Sequence, residues 1–317
     1  MQSCIRTDFR KAFLPSFTSI AFCYNTTNSR HYRHKESKKR RILNIFFVNL
    51  RPQKEFSNSI HHNMYAYFNW FLITMSVVAM IVFIALFFIK AGYGVFFNKK
   101  WGPSISNRLG WIIMEAPVFI TMLILWLMSD RTNDTVRLVI FLFFQLHYFQ
   151  RSFVFPFLFK GKSRMAISIM LCGVLFNTLN AFMQGGWLFY VSPTDYYTEA
   201  WFSTPQFIIG TLVFFAGMAI NLHSDHIIRN LRKPGDTKHY LPRGGMFRYV
   251  SSANYCGELI EWIGFAILTW SWAGVVFVWW TFANLAPRAH KIYNRYVEEF
   301  GEEFTRENRK RIIPFIY

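Results

Sequence analysis

Two stretches in the last third of this chain carry the same functional groups at the same helical spacing. In the first, Asn221, Asp225, Arg229 and Arg232 fall at i, i+4, i+8 and i+11, so one helical stripe holds an amide, a carboxylate and two guanidiniums. In the second, Asn254, Glu258, Glu261 and Trp262 fall at i, i+4, i+7 and i+8, again with an amide one turn before a carboxylate. Arg288, Tyr293, Arg295 and Tyr296 follow. Guanidiniums bind phosphates in a planar fork, and amides and carboxylates read ribose hydroxyls and a carboxamide. Such a set is suited to a dinucleotide held at the mouth of a helical bundle. The first stripe also reads as a helix end that obeys the charge bias of cytoplasmic loops, and spacing alone does not choose between the two.

A second chemistry lies inside hydrocarbon sequence. Glu115 stands four residues after Trp111 and two before Pro117, and a carboxylate there is expensive to desolvate. It needs either a structural hydrogen bond to a neighbouring helix or a function. His147, Tyr148 and Arg151 cluster between Gln145 and Phe-rich flanks. A tyrosine in a membrane helix is usually an interfacial anchor, but in mid-run beside a histidine and an arginine it is a candidate proton donor. No GxGxxG opens a βαβ unit and no P-loop occurs; Gly244-Gly245 alone is a weak signal. Cys4, Cys23, Cys172 and Cys256 form no CxxC, so neither a disulfide framework nor a zinc site is indicated, and no metal is expected.

The elements that must position these groups are apolar. The 317 residues are 53% hydrophobic and 20% aromatic, with 37 Phe and only 16% charged residues, which is too apolar for a soluble domain of this length. Lys and Arg number 35 against 17 Asp and Glu, but they sit between apolar runs and near the N-terminus, as topology determinants and anion contacts rather than a nucleic-acid surface. Runs long enough to cross a bilayer, roughly 17 to 25 residues, span 68–89, 111–128, 136–159, 165–189 and 206–222. A last apolar zone covers 259–286.

Loop charges set the orientation. Lys99, Lys100 and Arg108, then Lys160, Lys162 and Arg164, mark cytoplasmic connections, whereas 129–135 and 192–205 lie outside. The tail from Arg288 is basic, so an even number of crossings separates it from Arg248; two short passes turning near 270–274 fit, and a buried re-entrant pair is the alternative. The expectation is an all-α, polytopic membrane bundle of seven transmembrane helices, N-terminus outside and C-terminus cytoplasmic. Residues 1–63 differ: twelve Lys/Arg against three Asp/Glu give half of the chain's +18, and no signal-peptide pattern is present. They are expected to form a poorly ordered or non-native extension to a membrane domain at 64–317, within which 217–317 carries most of the cofactor site.

The motifs as a set resemble the steroid 5α-reductase family of membrane 3-oxo-steroid Δ4-reductases. The likeness runs from about Gly92-Tyr93-Gly94 to Ile313-Pro314-Phe315-Ile316-Tyr317. Its most specific pieces are Asn221-Leu222-His223-Ser224-Asp225 with Leu231-Arg232-Lys233-Pro234-Gly235, and Asn254, Gly257-Glu258 and Glu261-Trp262-Ile263-Gly264. Glu115-Ala116-Pro117-Val118-Phe119 and His147-Tyr148-Phe149-Gln150-Arg151 resemble the family's catalytic helices. The resemblance implies seven helices, a substrate pocket reached from the bilayer, and NADPH at the cytoplasmic side. Glu115 and Tyr148 would hydrogen-bond the substrate's 3-keto oxygen, and Asn221, Asp225, Arg232, Asn254, Glu258, Arg288 and Tyr296 would hold the cofactor, with Arg151 and Lys162 as second-rank contacts. Met114 stands where a glutamine is common, and His239-Tyr240 replaces an aromatic-basic pair before Pro242.

The implied reaction is reduction of the Δ4 double bond of a 3-oxo-Δ4-steroid, with hydride delivered to C5 and the 3-keto group polarised by the Tyr/Glu pair. Two other readings stand beside it: reduction of another lipid enone or enoyl group, such as a polyprenol precursor or a long-chain enoyl thioester, and a lipid transporter whose intramembrane Glu is a ligand site. The partners are a lipid substrate and the bilayer, in the endoplasmic reticulum of a eukaryote or the inner membrane of a bacterium. Oligomeric state is not legible.

Overall fold

Backbone polar groups in a bilayer must be satisfied within the segment, so apolar runs of this length fold as helices. The computed structural model describes residues 53–89, 99–160, 163–231 and 238–317. Two units are distinguished, Met1–Ser59 and Ile60–Tyr317, and every contact below lies within the second. Of the basic segment 1–63, residues 1–52 lie outside the described residues, as do Lys162 and Arg232. The helices are α1 (Gln53–Phe88), α2 (Asn107–Leu127), α3 (Thr135–Phe149), α4 (Ile167–Gly185), α5 (Pro205–Asn230), α6 (Ala253–Thr269), α7 (Trp272–Phe300) and the short α8 (Glu302–Thr305). α3 continues through a π-helical stretch, Gln150–Val154, and α4 through another, Gly186–Val191. Among the described residues, five helical spans are long and apolar enough to cross a membrane: Asn63–Phe88, Asn107–Leu127, Thr135–Leu158, Ile167–Val191 and Pro205–Asn230.

Local chemistry sets the ends. The hydroxyls of Ser106, Thr204 and Ser271 accept from Leu109, Phe207 and Gly274 amides, and the Asp134 carboxylate from that of Arg137, each satisfying an otherwise orphaned first-turn donor. Pro205 occupies the first turn of α5, where its fixed φ suits the helix and no N–H is missed. The last apolar zone is two helices: α6 stops at Trp270, which adopts a left-handed conformation at φ 46°, and Ser271 restarts the chain as the cap of α7.

The connections group by end. Strands β1 (Ser104–Ser106) and β2 (Arg164–Ala166) pair antiparallel with Ile105 opposite Met165, joining the starts of α2 and α4. At the other end, the buried Arg137 donates to Leu188 O at 2.9 Å and Pro193 O at 2.7 Å and contacts Asp134, while Arg131 reaches Ser192 Oγ at 2.9 Å. α1 is tied to α7 where Trp279 Nε1 donates to Ser76 O and Lys291 Nζ caps the last carbonyls, Leu86 and Ile89. The core is aromatic and centres on Trp262, 1% exposed, whose ring meets Phe144, His147, Tyr148, Phe214, Phe265 and Phe277.

α5 and α6 make the most extensive helix pair. Gly210 and Gly217 on one face Gly264 and Gly257 on the other, antiparallel and seven residues apart. A Cβ on Gly217 would lie 2.2 Å from the Glu261 nitrogen, and one on Gly257 would lie 2.4 Å from the Asn221 nitrogen. Backbone meets backbone there, so no side chain can move aside. At Gly173 the obstacle is instead the flexible Met114 side chain. Overpacking of a fixed contact costs about 1–3 kcal/mol, so Gly217→Ala is expected to lower the thermal unfolding midpoint clearly and Gly173→Ala only slightly. Equal midpoints for the two variants in detergent would contradict the backbone contact.

Candidate functional site

The glycine contact brings the two polar stripes together. Asn221, directly opposite Gly257, donates Nδ2 to Asn254 O at 2.9 Å, and Asn254 Nδ2 donates to Asp225 Oδ1 at 3.2 Å. Arg151 reaches the same carboxylates from α3, with NH1 at 3.4 Å from Asp225 Oδ2 and NH2 at 3.7 Å from Glu258 Oε2. Its guanidinium also lies over Phe155 and Trp111. The π-helical stretch that begins at Gln150 carries Arg151 and locally changes the helical phase, a device common at functional sites. Asn221, Asp225 and Arg151 are buried, and Asn254 and Glu258 are half-buried.

A second set is built on Glu115 of α2 and Tyr148 of α3. Each is gripped by a carboxamide of α4: Asn177 Nδ2 donates to Glu115 Oε2 at 3.2 Å and to Met114 O at 2.7 Å, and Asn180 Nδ2 donates to the Tyr148 hydroxyl oxygen at 2.9 Å. The two acids are within electrostatic reach of each other, and Arg151 is within reach of Glu115. Next to Tyr148, His147 Nδ1 is 2.8 Å from Glu261 Oε1, a buried pair that pins α3 to α6. Thus seven of the eleven residues singled out from the sequence, Glu115, Tyr148, Arg151, Asn221, Asp225, Asn254 and Glu258, form two adjoining clusters.

Arg288 and Tyr296 lie further along α7. Arg288 is half-buried one residue after Pro287, and Tyr296 packs its ring on Phe300 and Phe304. Burial pushes the Tyr296 phenol up to about 12. Arg232 and Lys162 fall outside the described residues. Arg243 engages Glu303 at 2.7 Å and Glu307 at 3.1 Å.

Sequence reasoning passed over Asn177, Asn180, Gly210 and Ser252, and gave no role to Gly217, Gly257, Gly264 or Ser224. The Ser224 and Ser252 hydroxyls are buried without a hydrogen-bond partner beside Asp225 and at the start of α6. The amides have a signal: with Gln184 they recur at i, i+3 and i+7 in an apolar helix, and all three are buried.

The C-terminal tail closes the cradle from below. Ser251 N donates to Lys310 O, Ser252 N to Arg311 O, and Lys310 N to Tyr249 O, so the tail fixes the entry to α6. Arg311 Nε donates to His290 Nδ1 at 3.0 Å.

A family model described as 3-oxo-5-alpha-steroid 4-dehydrogenase matches residues 163–317. A steroid 5-alpha-reductase of Arabidopsis thaliana is 36% identical over 257 residues, covering 79% of this chain and 97% of the relative. The 3-oxo-5-alpha-steroid 4-dehydrogenase 1 of Mus musculus is 39% identical over 241 residues, covering 75% and 92%, and that of Homo sapiens 38% over 215 residues, covering 67% and 81%.

Two outcomes follow from the charges. Removing the cation of a buried ion cluster costs about 3 kcal/mol or more, because the carboxylates are left uncompensated. Arg151→Met should therefore lower the unfolding midpoint, and Asp225→Asn added to it should recover part of the loss; an unshifted midpoint in Arg151→Met contradicts the cluster. His290 lies beyond the apolar part of α7, and burial, then the Arg311 and Lys291 charges, holds its pKa below the usual histidine value. The folded state disfavours the imidazolium, so this contribution is present above the unfolded histidine pKa of about 6.5 and is lost as pH falls from there through the lower pKa of the folded state. Hydrogen exchange at 249–252 should rise on acidification from pH 7 to 5.5, and His290→Gln should flatten that response.

Proposed function

The chain belongs to the family of steroid 5-alpha-reductases (3-oxo-5-alpha-steroid 4-dehydrogenases), an oxidoreductase family, and from that premise we propose that it reduces the Δ4 double bond of a 3-oxo-Δ4-steroid with NADPH. The observation that carries this reading is that Glu115 and Tyr148 are each held by a buried carboxamide of α4, one turn apart, with a cradle of amides, carboxylates and a guanidinium on the neighbouring helices. The residues present suit a dinucleotide. Asn221, Asp225, Asn254 and Glu258 offer donors and acceptors for hydroxyl and amide groups, and the orphaned hydroxyls of Ser224 and Ser252 lie buried beside them. Arg288 and Tyr296, with Arg232, supply further cation and phenol contacts, and Arg151 and Lys162 are second-rank ones.

NADPH, when bound, supplies the hydride for C5 of the enone. The chain's own residues stabilise the charge that develops on the C3 carbonyl oxygen: the Tyr148 hydroxyl and the protonated carboxyl of Glu115 donate hydrogen bonds to that oxygen in a site of low dielectric, where such bonds are strongest. Protonation at C4 completes the addition. The Trp262-centred ring cluster and the His147–Glu261 pair hold Tyr148 in place.

We further propose that α6 and the first half of α7 supply two more crossings to the five spans, giving seven, with the N-terminus outside and the C-terminus cytoplasmic. The turn at Trp270 and the grouping of the loops by end support this arrangement. The reductase domain of this reading is 64–317, with 217–317 contributing most of the cradle.

The test is NADPH oxidation by the purified full-length protein on addition of testosterone or progesterone. Tyr148→Phe and Glu115→Gln should each cut turnover by about 10²-fold or more while NADPH affinity stays unchanged. Near-normal rates in both variants would refute the assignment. A protein that binds no dinucleotide would favour a lipid carrier.

A further inference from the structure

Two of the three buried carboxamides on α4 point at the acid pair, while Gln184 Nε2 is engaged by Ala273 O at 3.0 Å on α7. The one-turn spacing of Asn177 and Asn180 matches two targets that come from different helices, Glu115 on α2 and Tyr148 on α3. In both cases the amide N–H is the donor and the acid's oxygen is the acceptor.

Asn180 has no exposed surface, and its Oδ1 has no partner. As a mere clamp between helices it is a poor choice. Burying a carbonyl with no donor costs its desolvation without compensation, and a leucine of similar volume packs there with neither the bond nor that cost. The orphaned oxygen is tolerated because the other end of the amide makes a bond that leucine cannot.

A phenol has one donor and two acceptor lone pairs, and a carboxyl has two oxygens. With Asn180 on a lone pair of Tyr148 and Asn177 on Oε2 of Glu115, what remains to donate is the Tyr148 O–H and, with the Glu115 carboxyl in its neutral form, an O–H on Oε1. We propose that Asn177 and Asn180 are positioning residues that fix the donor–acceptor polarity of the acid pair, so that Glu115 and Tyr148 present their remaining sites to one ligand carbonyl. Asn180 in addition stabilises the negative charge that grows on the Tyr148 oxygen as its hydrogen is drawn toward the substrate. This rests on the reading that Glu115 and Tyr148 act on that carbonyl.

The experiment is a pair of mutant cycles on the full-length protein in nanodiscs, with progesterone and NADPH. Asn180→Leu should lower kcat by about 10- to 100-fold, with the steroid KM and NADPH affinity within about twofold of wild type. In a Tyr148→Phe background the same substitution should change the residual turnover less than about twofold, because the group it acts through is gone. Asn177→Leu should behave likewise against Glu115→Gln. Equal losses in both backgrounds, or a full kcat in Asn180→Leu when Tyr148→Phe is crippled, overturns the positioning role and leaves the acid pair standing. Full turnover in Tyr148→Phe instead overturns the acid pair, and this inference with it. Should Asn180→Leu fail to fold, Asn180→Ala and the Asn177 cycle decide by the same criteria.

Discussion

Backbone contact between α5 and α6 is the constraint on which the rest depends. Helices normally keep 8–10 Å between axes because side chains separate them, but at Gly210, Gly217, Gly257 and Gly264 each chain's backbone occupies the space that the other's Cβ would need. Small residues serve this purpose in membranes, where association relies on packing rather than on expulsion of water. Here the consequence is chemical. Asn221 lies opposite Gly257 and Glu261 opposite Gly217, so the close approach that removes side chains from the interface also presses the functional stripes against each other. Longer side chains at those four positions would leave Asn221 and Asp225 out of reach of Asn254.

The polar groups gathered this way are stable only as a set. A lone carboxylate in hydrocarbon is costly, whereas Asp225 and Glu258 share Arg151 and Glu261 is bonded to His147; the Glu115 carboxyl accepts from Asn177. Each carboxylate is therefore answered from a different helix. Arg151 has a special position because it bridges the cradle on α5 and α6 to the helix that carries Tyr148, and its flat ion stacks on Trp111 of the Glu115 helix. The chain thereby couples the place where a dinucleotide would lie to the place where a ketone would be polarised, with no metal-binding cluster among the described residues.

Much of this was legible in the sequence where the signal is local. The first five apolar runs are helices, because hydrocarbon sequence in a bilayer has few other options. The i, i+4 amide–carboxylate repeats placed Asn221 with Asp225, and Asn254 with Glu258, on shared faces. What escaped is pairwise. The break between α6 and α7 rests on Trp270 in a left-handed conformation, and tryptophan carries no turn signal. The heptad spacing of the four glycines is visible in the chain, but their meaning appears only once α5 and α6 are known to be antiparallel neighbours. Asn177 and Asn180 read as interruptions of an apolar run until Glu115 and Tyr148 are set across from them.

The account makes one geometric commitment, that a steroid ketone meets Glu115 and Tyr148 together. A structure of the protein determined with NADP and a 3-oxo-Δ4-steroid bound tests it most directly. The carbonyl oxygen should lie within about 2.6–3.2 Å of both the Tyr148 hydroxyl and the Glu115 carboxyl; a steroid bound with its 3-keto group away from both would contradict the account.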